Sequence, residues 1–152
     1  MLREIRCDKF LENGVVRPPI VFHPGLNVVL GNEQGANSIG KSTFLLIVDF
    51  AFGGNDYPQK ATDVLRNIKD HRIDFIFEFN NTRYYFSRST DTFQTVACCN
   101  SNFEEQNTIN IDDFRDWLAQ QYGINQEGLT FRNAVSRFFE YINAEILTKN
   151  GL

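Results

Sequence analysis

The sequence predicts an α/β domain of the P-loop NTPase kind, with a mixed sheet, an antiparallel β-hairpin and C-terminal helices. "GLNVVLG" is a short β-branched run that leads into a glycine-rich loop and then into an apolar helix-like stretch. "HRIDFIFEFNNTRYYFSRS" alternates apolar and polar residues on the strand side of Asn80-Asn81. Two later segments, around "DFRDWLAQQYG" and from Thr130 to Leu147, carry apolar residues at helical spacing.

Taken in order, the chain opens with two strand-like stretches, "LREIRCDKF" and "GVVRPPIVF". Pro18-Pro19 interrupts the second, because a proline cannot donate to a central ladder and marks an edge, a bulge or a break. "GLNVVLG" then reads as a buried strand bounded by glycines. After the loop, Lys41 to Phe52 is apolar on nearly every side, as a buried helix is, and Gly53-Gly54 supplies its stop. In the hairpin, Ile73, Phe75, Phe77 and Phe79 take one face and Arg72, Asp74, Ile76 and Glu78 the other. Asn80 and Asn81 tolerate the positive φ of a tight turn. "TVACCN" offers a further strand. Asn110 and Asp113 then resemble an N-cap with an acidic third residue, with Phe114, Trp117 and Leu118 on the inner face and Gly123 as the stop. The last helix, 130–147, has its stripe at Phe131, Ala134, Val135, Phe138, Ile142 and Ile146.

Composition bounds the function. A chain of 152 residues is the size of one domain, and neither repeats nor linkers divide it, so 1–152 is read as a single unit. The 15 phenylalanines predict an aromatic core. A net charge of −4 provides no basic footprint for nucleic acid. Cys7, Cys98 and Cys99 have neither zinc-ligand spacing nor a disulfide pattern, which suits reduced thiols in the cytoplasm. The charged start "MLREIRCDKF" is no signal peptide, and the apolar run Phe44–Phe52, broken by Asp49, is too short to span a bilayer, so no membrane partner is expected.

The chemistry is concentrated in one stretch. Gly35-Ala36-Asn37-Ser38-Ile39-Gly40-Lys41-Ser42 satisfies G-x-x-x-x-G-K-[ST] between a strand and a helix, the order that the mechanism demands. Glycines let successive backbone N–H groups turn inward around phosphate oxygens. The start of a helix near Lys41 adds its positive dipole end. Lys41 is placed to reach the β- and γ-phosphates, and the Ser42 hydroxyl to ligate Mg²⁺. The expected nucleotide-binding set is Gly35, Asn37, Ser38, Ile39, Gly40, Lys41, Ser42 and Thr43, with ATP and Mg²⁺ as cofactors. A glycine loop that merely joined strand to helix would leave a lysine at the helix start unexplained.

The hydrolytic half of such a site is harder to find. An acidic residue at the end of a buried parallel strand would normally help to hold Mg²⁺ and the attacking water. Asp49 follows four apolar residues but lies eight positions past Lys41, inside the helix. Glu78 lies on the hairpin. Both are expected to be structural, and no catalytic residue is assigned. His23 and His71 read as surface or strand-end histidines, and Arg132 and Arg137 as a solvated helix face. Trp117 reads as core. Arg83, Tyr84, Tyr85 and Arg88 interleave basic and aromatic residues, a pattern shared by nucleic-acid readers and ordinary hairpins.

"GLNVVLG…GANSIGKSTFLLIVDFAFGG" resembles the N-terminal lobe of the SMC, RecN and RecF class of ABC-type ATPases. Gly35, Asn37, Gly40, Lys41 and Ser42 match that class's G-x-N-G-x-G-K-S pattern. Ser38 replaces a glycine, and "NEQ" lengthens the approach to the loop. "NSIGKST", "DFAFGG" and "FRNAVSRFF" bring the chain closer to a group of uncharacterised bacterial SMC-like proteins, some encoded in defence-associated systems. The specific motif spans about twenty residues. The resemblance implies an ATPase head lobe followed by a coiled coil and completed by a C-terminal lobe, in cis or in trans. That second lobe would carry the signature motif, the acidic strand and a switch histidine. It further implies dimerisation with nucleotide and DNA as a partner of the full assembly, in DNA maintenance or defence, with negligible hydrolysis by this lobe alone. Two other classes stand beside it: a small P-loop kinase or transferase, and a non-hydrolysing interaction domain.

Overall fold

A computed structural model describes residues 1–25, 27, 38–124 and 130–136. Within them the order is β1 (Leu2–Arg6), β2 (Leu11–Glu12), β3 (Val15–Val16), β4 (Ile20–Val21), α1 (Ser38–Ala51), α2 (Asp56–Lys60), α3 (Thr62–Ile68), β5 (Arg72–Phe79), β6 (Thr82–Ser89), β7 (Thr95–Cys99), β8 (Glu105–Asn110) and α4 (Ile111–Tyr122). Residues 131–136 are also helical. Six strands form one sheet in the order β4-β1-β5-β6-β7-β8, and β2 and β3 pair as a separate small hairpin.

The architecture is α/β, but every strand pair among the described residues is antiparallel, where a mixed sheet was expected. The parallel component was to come from "GLNVVLG", of which Leu26 and Val28 to Gly31 lie outside the described residues. What the sheet establishes is therefore the coarser class, an antiparallel sheet with helices, and not a P-loop NTPase fold. Pro18-Pro19 separates β3 from β4 as their missing N–H groups require, and leaves β4 a two-residue edge strand.

The β5–β6 hairpin is the centre of the sheet. Asn80 and Asn81 take φ of 50° and 60°, the mirror-image turn whose twist matches the flanking strands. The register pairs Ile73 with Arg88, Phe75 with Phe86 and Phe77 with Tyr84, so these residues share one face. That face is the core side. Ile73, Phe75 and Phe77 are fully buried, and they pack with Ile5 of β1, Val96 of β7, Phe50 of α1 and Phe114 of α4. The Phe86 and Phe114 rings lie 5.1 Å apart edge to face, and Phe75 and Phe114 6.0 Å apart. Each buried phenylalanine contributes about 1.5–3 kcal/mol from surface removed from water.

Helix α4 sits where its caps put it. The Asn110 side chain accepts from the Asp113 backbone N–H at 2.8 Å, and Asp113 Oδ2 accepts in turn from the Asn110 amide at 2.6 Å. Gly123 ends the helix with φ 67°, a left-handed conformation that a side chain would strain. Phe114 and Leu118 are buried, and Trp117 is half-buried beside Phe86 and Tyr84, each ring 5.1 Å away. Helix α1 is buried over Ile47 to Ala51 and half-buried over Thr43 to Leu46, with Phe44 stacked on Phe22 at 6.2 Å. Its last turn is therefore the deeply packed end, and its first turn reaches the surface. No helix of the described residues is long and apolar enough to cross a membrane.

Candidate nucleotide-binding site

Helix α1 begins at Ser38, three residues before Lys41, the expected start. The motif thus divides. Ser38, Ile39, Gly40, Lys41, Ser42 and Thr43 belong to the opening of the helix, while Gly35 and Asn37 lie outside the described residues. The backbone N–H groups that open an α-helix, here including those of Ser38, Ile39 and Gly40, have no acceptor within the helix and need one from outside.

The surroundings suit an anionic acceptor. There is no acidic residue in the first turn of α1 to compete for those donors. Gly40 and Ser42 are exposed, and a Cβ placed on Gly40 would meet nothing within 4 Å, so there is room beside Gly40. A phosphate suits such a place, with first-turn backbone donors, a favourable dipole and room at Gly40. The described residues contain no group of three or more His, Cys, Asp or Glu side chains able to hold a metal ion.

The opposite end of α1 is held by arginines from elsewhere in the chain. The last turn of α1 has no basic residue of its own. Arg88, on the core face of β6 and 1% exposed, donates to the carbonyl oxygens of Phe50, Gly54 (3.0 Å) and Phe93 and to the Asn55 side chain (3.1 Å). Arg115 of α4 donates twice to the Gly53 carbonyl, at 3.0 and 2.7 Å, and pairs with Asp112 at 2.8 Å. These bonds satisfy carbonyls that a helix end leaves open. Burial, and then the charges of Arg115 and Arg132, pull the Arg88 guanidinium down to about 9, with Asp49 opposing.

Asp49 and Glu78, the two acids that might have completed a hydrolytic site, both have structural partners. Asp49 is buried in α1, with its carboxylate 2.8 Å from Arg132. Glu78 is clasped by Arg3 at 2.6 Å and Arg83 at 3.1 Å, which joins β1, β5 and β6. The hydrogen bond from Arg3, then that from Arg83, holds its carboxyl below the usual range. Neither lies on a parallel strand.

One expectation about charged side chains fails here and another is narrowed. Arg132 does not belong to a solvated face: its side chain is 24% exposed and meets Asp49. The sequence signal that could have revealed this was Asp49 itself, a lone acid on an otherwise apolar helix, which must find a cation when buried. Arg137 lies outside the described residues. His71 immediately precedes β5, the strand-end alternative of the two expected, but it is buried and not at the surface. It is 5% exposed, with Nδ1 2.8 Å from the Lys69 carbonyl and Nε2 2.8 Å from the Tyr57 hydroxyl. The carbonyl can only accept, so Nδ1 carries the proton and Nε2 accepts from Tyr57. Burial in turn raises the Tyr57 phenol well above its ordinary range. His23 is exposed.

The aromatic and basic residues of the hairpin line a groove of about 290 Å³ with Cys98, Cys99, Ile109 and Trp117. No phosphate-loop residue contributes to its wall, and its one charged residue, Arg83, is engaged by Glu78.

No family model matches this chain, and no solved structure matches it. The chain is similar to the Septu protein PtuA of Bacillus thuringiensis, 24% identical over 150 residues that cover 99% of this chain and 32% of that protein. It thus spans about a third of the length of the curated relative it matches. The resemblance to the SMC, RecN and RecF class, and to SMC-like coiled-coil proteins, is overturned by these findings: neither a family model nor a solved structure of that class aligns with the chain. Its basis was a short motif. Phosphate cradling demands the same few residues wherever it occurs, so such a motif reports mechanism and not ancestry.

Proposed function

We propose that this chain is an ATP-binding lobe, 1–152, of a longer cytoplasmic protein driven by nucleotide. Gly35, Asn37, Ser38, Ile39, Gly40, Lys41, Ser42 and Thr43 form the phosphate site, and Ser42 is the protein's ligand to Mg²⁺. The observation that carries this reading is the start of α1. Helix α1 opens at Ser38, inside the G-x-x-x-x-G-K-S pattern, with no acidic side chain in its first turn and with an exposed Gly40 at which an added Cβ would meet nothing within 4 Å. The backbone N–H groups and Lys41 bind and orient the phosphates, and Mg²⁺ neutralises charge on them when bound. Asp49 and Glu78, the two acids considered for the hydrolytic half, are both held by arginines, which supports a lobe that hydrolyses negligibly by itself. A C-terminal ATPase lobe, in cis or in trans, supplies the rest, and nucleotide joins two copies. The assembly serves DNA maintenance or defence, with DNA as a partner of the whole and not of this lobe alone. The span of a third of PtuA's length supports treating the chain as a piece of such a protein.

A calorimetric titration of the chain with ATP and Mg²⁺ tests this. Weak binding, lost in Lys41→Ala while the circular dichroism spectrum is unchanged, is the expected result. Phosphate release should stay at background. A folded chain that binds no nucleotide overturns the proposal. Robust turnover abolished by Lys41→Ala overturns the claim that the lobe is inactive alone.

A further inference from the structure

Asp49 lies toward the C-terminal end of α1, the helix whose opening carries Gly40, Lys41 and Ser42. Its Oδ1 is 2.8 Å from Nη1 of Arg132, in the helical segment 131–136. Distance and alignment disagree in this contact. Arg132 Nη1 and Asp49 Oδ2 are both buried without a hydrogen-bond partner, so the charges meet while the N–H direction misses the lone pairs. A guanidinium and a carboxylate interact most strongly as a fork of two parallel bonds, and this pair stops short of it.

The two partners differ in freedom. The Asp49 carboxylate is wedged against Gly54, where an added Cβ would lie 1.6 Å from Oδ2 and 2.3 Å from Cγ. Arg88 and Arg115 fix the carbonyls of Phe50, Gly53 and Gly54 around it. The Asp49 side chain is 11% exposed and that of Arg132 24%. The Asp49 carboxylate is thus fixed relative to the end of α1 and travels with it, while the Arg132 side chain, the more exposed of the two, is the half with room to turn.

We infer that the Asp49–Arg132 contact couples nucleotide occupancy at the first turn of α1 to the helical segment 131–136, by moving between the unforked contact and a forked one. This rests on the nucleotide reading above. Helix α1 has 14 residues and is a stiff rod roughly 21 Å long, so a pull on its first turn is transmitted to its packed last turn as a small change of tilt. Asp49 registers that change because a half-satisfied buried pair has a second, better arrangement available. Coupling of this kind is reciprocal, so the contact also adjusts nucleotide affinity.

The test is hydrogen exchange at the amides of 131–136, with and without ATP and Mg²⁺, beside an ATP titration of the same samples. In the unsubstituted chain, saturating ATP should change exchange there by about fivefold or more. Arg132→Gln and Asp49→Asn should still bind ATP, with altered affinity, and lose the ATP-dependent change. Should Asp49→Asn fail to fold, Arg132→Lys, which keeps the charge without the fork, takes its place. An ATP-bound chain with no change at 131–136 overturns the coupling and leaves the nucleotide reading intact, as does a change that persists in the variants. A chain that binds no ATP overturns both, and the titration separates the two cases.

Discussion

The guanidinium carbon of Arg88 lies 3.9 Å from the centre of the Phe50 ring, and the same guanidinium donates to the Phe50 carbonyl oxygen. One side chain therefore holds both the ring and the backbone of a single residue near the end of α1. No carboxylate accepts from Arg88; carbonyl dipoles and one amide oxygen do the work that a counter-ion would do.

Truncating this residue should cost a large fraction of the stability. Arg88→Met leaves the carbonyls of Gly54 and Phe93 without this donor and that of Phe50 with the Gly53 N–H alone, and each buried group left stranded costs about 1–3 kcal/mol. A loss of about 3 kcal/mol or more in urea denaturation is expected. Arg88→Lys should recover less than half, since a single ammonium cannot reach the fork of acceptors. A wild-type midpoint in either variant would show that the arginine network is dispensable.

Gly54 has no room for a side chain. Gly54→Ala brings a methyl against the Asp49 carboxylate, and overpacking at a fixed helix end should cost about 3 kcal/mol. Adding Asp49→Ala removes the obstructing atoms, so the double variant should be more stable than the sum of the two single losses allows. Strict additivity in the double-mutant cycle would place the clash elsewhere.

Glu78 gives the fold an acid-sensitive contact. Its folded carboxyl titrates below its ordinary value of 4.5 because Arg3 and Arg83 favour the charged form. As pH falls, the unfolded chain takes up this proton first, so the contribution is whole above about 4.5 and is lost as pH drops through the folded value. Glu78→Gln should flatten the acid side of the stability profile and leave the slope near neutral pH unchanged. An identical acid limb in the variant would assign the slope to other carboxylates.

Local rules made several of these elements legible. Asn80-Asn81, the Asn110 cap and the Gly123 stop each meet a backbone requirement within a few residues, and the structure has all three where the sequence placed them. Strand β8 was invisible because "EQNTIN" has no apolar alternation; it is held by its ladder to β7, which any sequence can form. The arginine network joins residues far apart in the chain, so no window reveals it. One trace was there: period two puts Tyr84, Phe86 and Arg88 on one face, which already committed an arginine to the core. At the candidate site, the motif predicted a helix start and the chain has one, three residues early. Gly35 and Asn37 lie outside the described residues.

Strand β8 has a further consequence, for how copies of this protein behave when crowded. It is one border of the sheet, exposed and polar along nearly its whole length, with Glu105 at its head. The other border, β4, is two residues long and follows a pair of prolines. A long, flat, greasy margin invites another molecule to add strand upon strand until the protein precipitates. Among the described residues one margin is too hydrophilic and the other too short to template a neighbour, so the six-strand sheet resists growth into fibres.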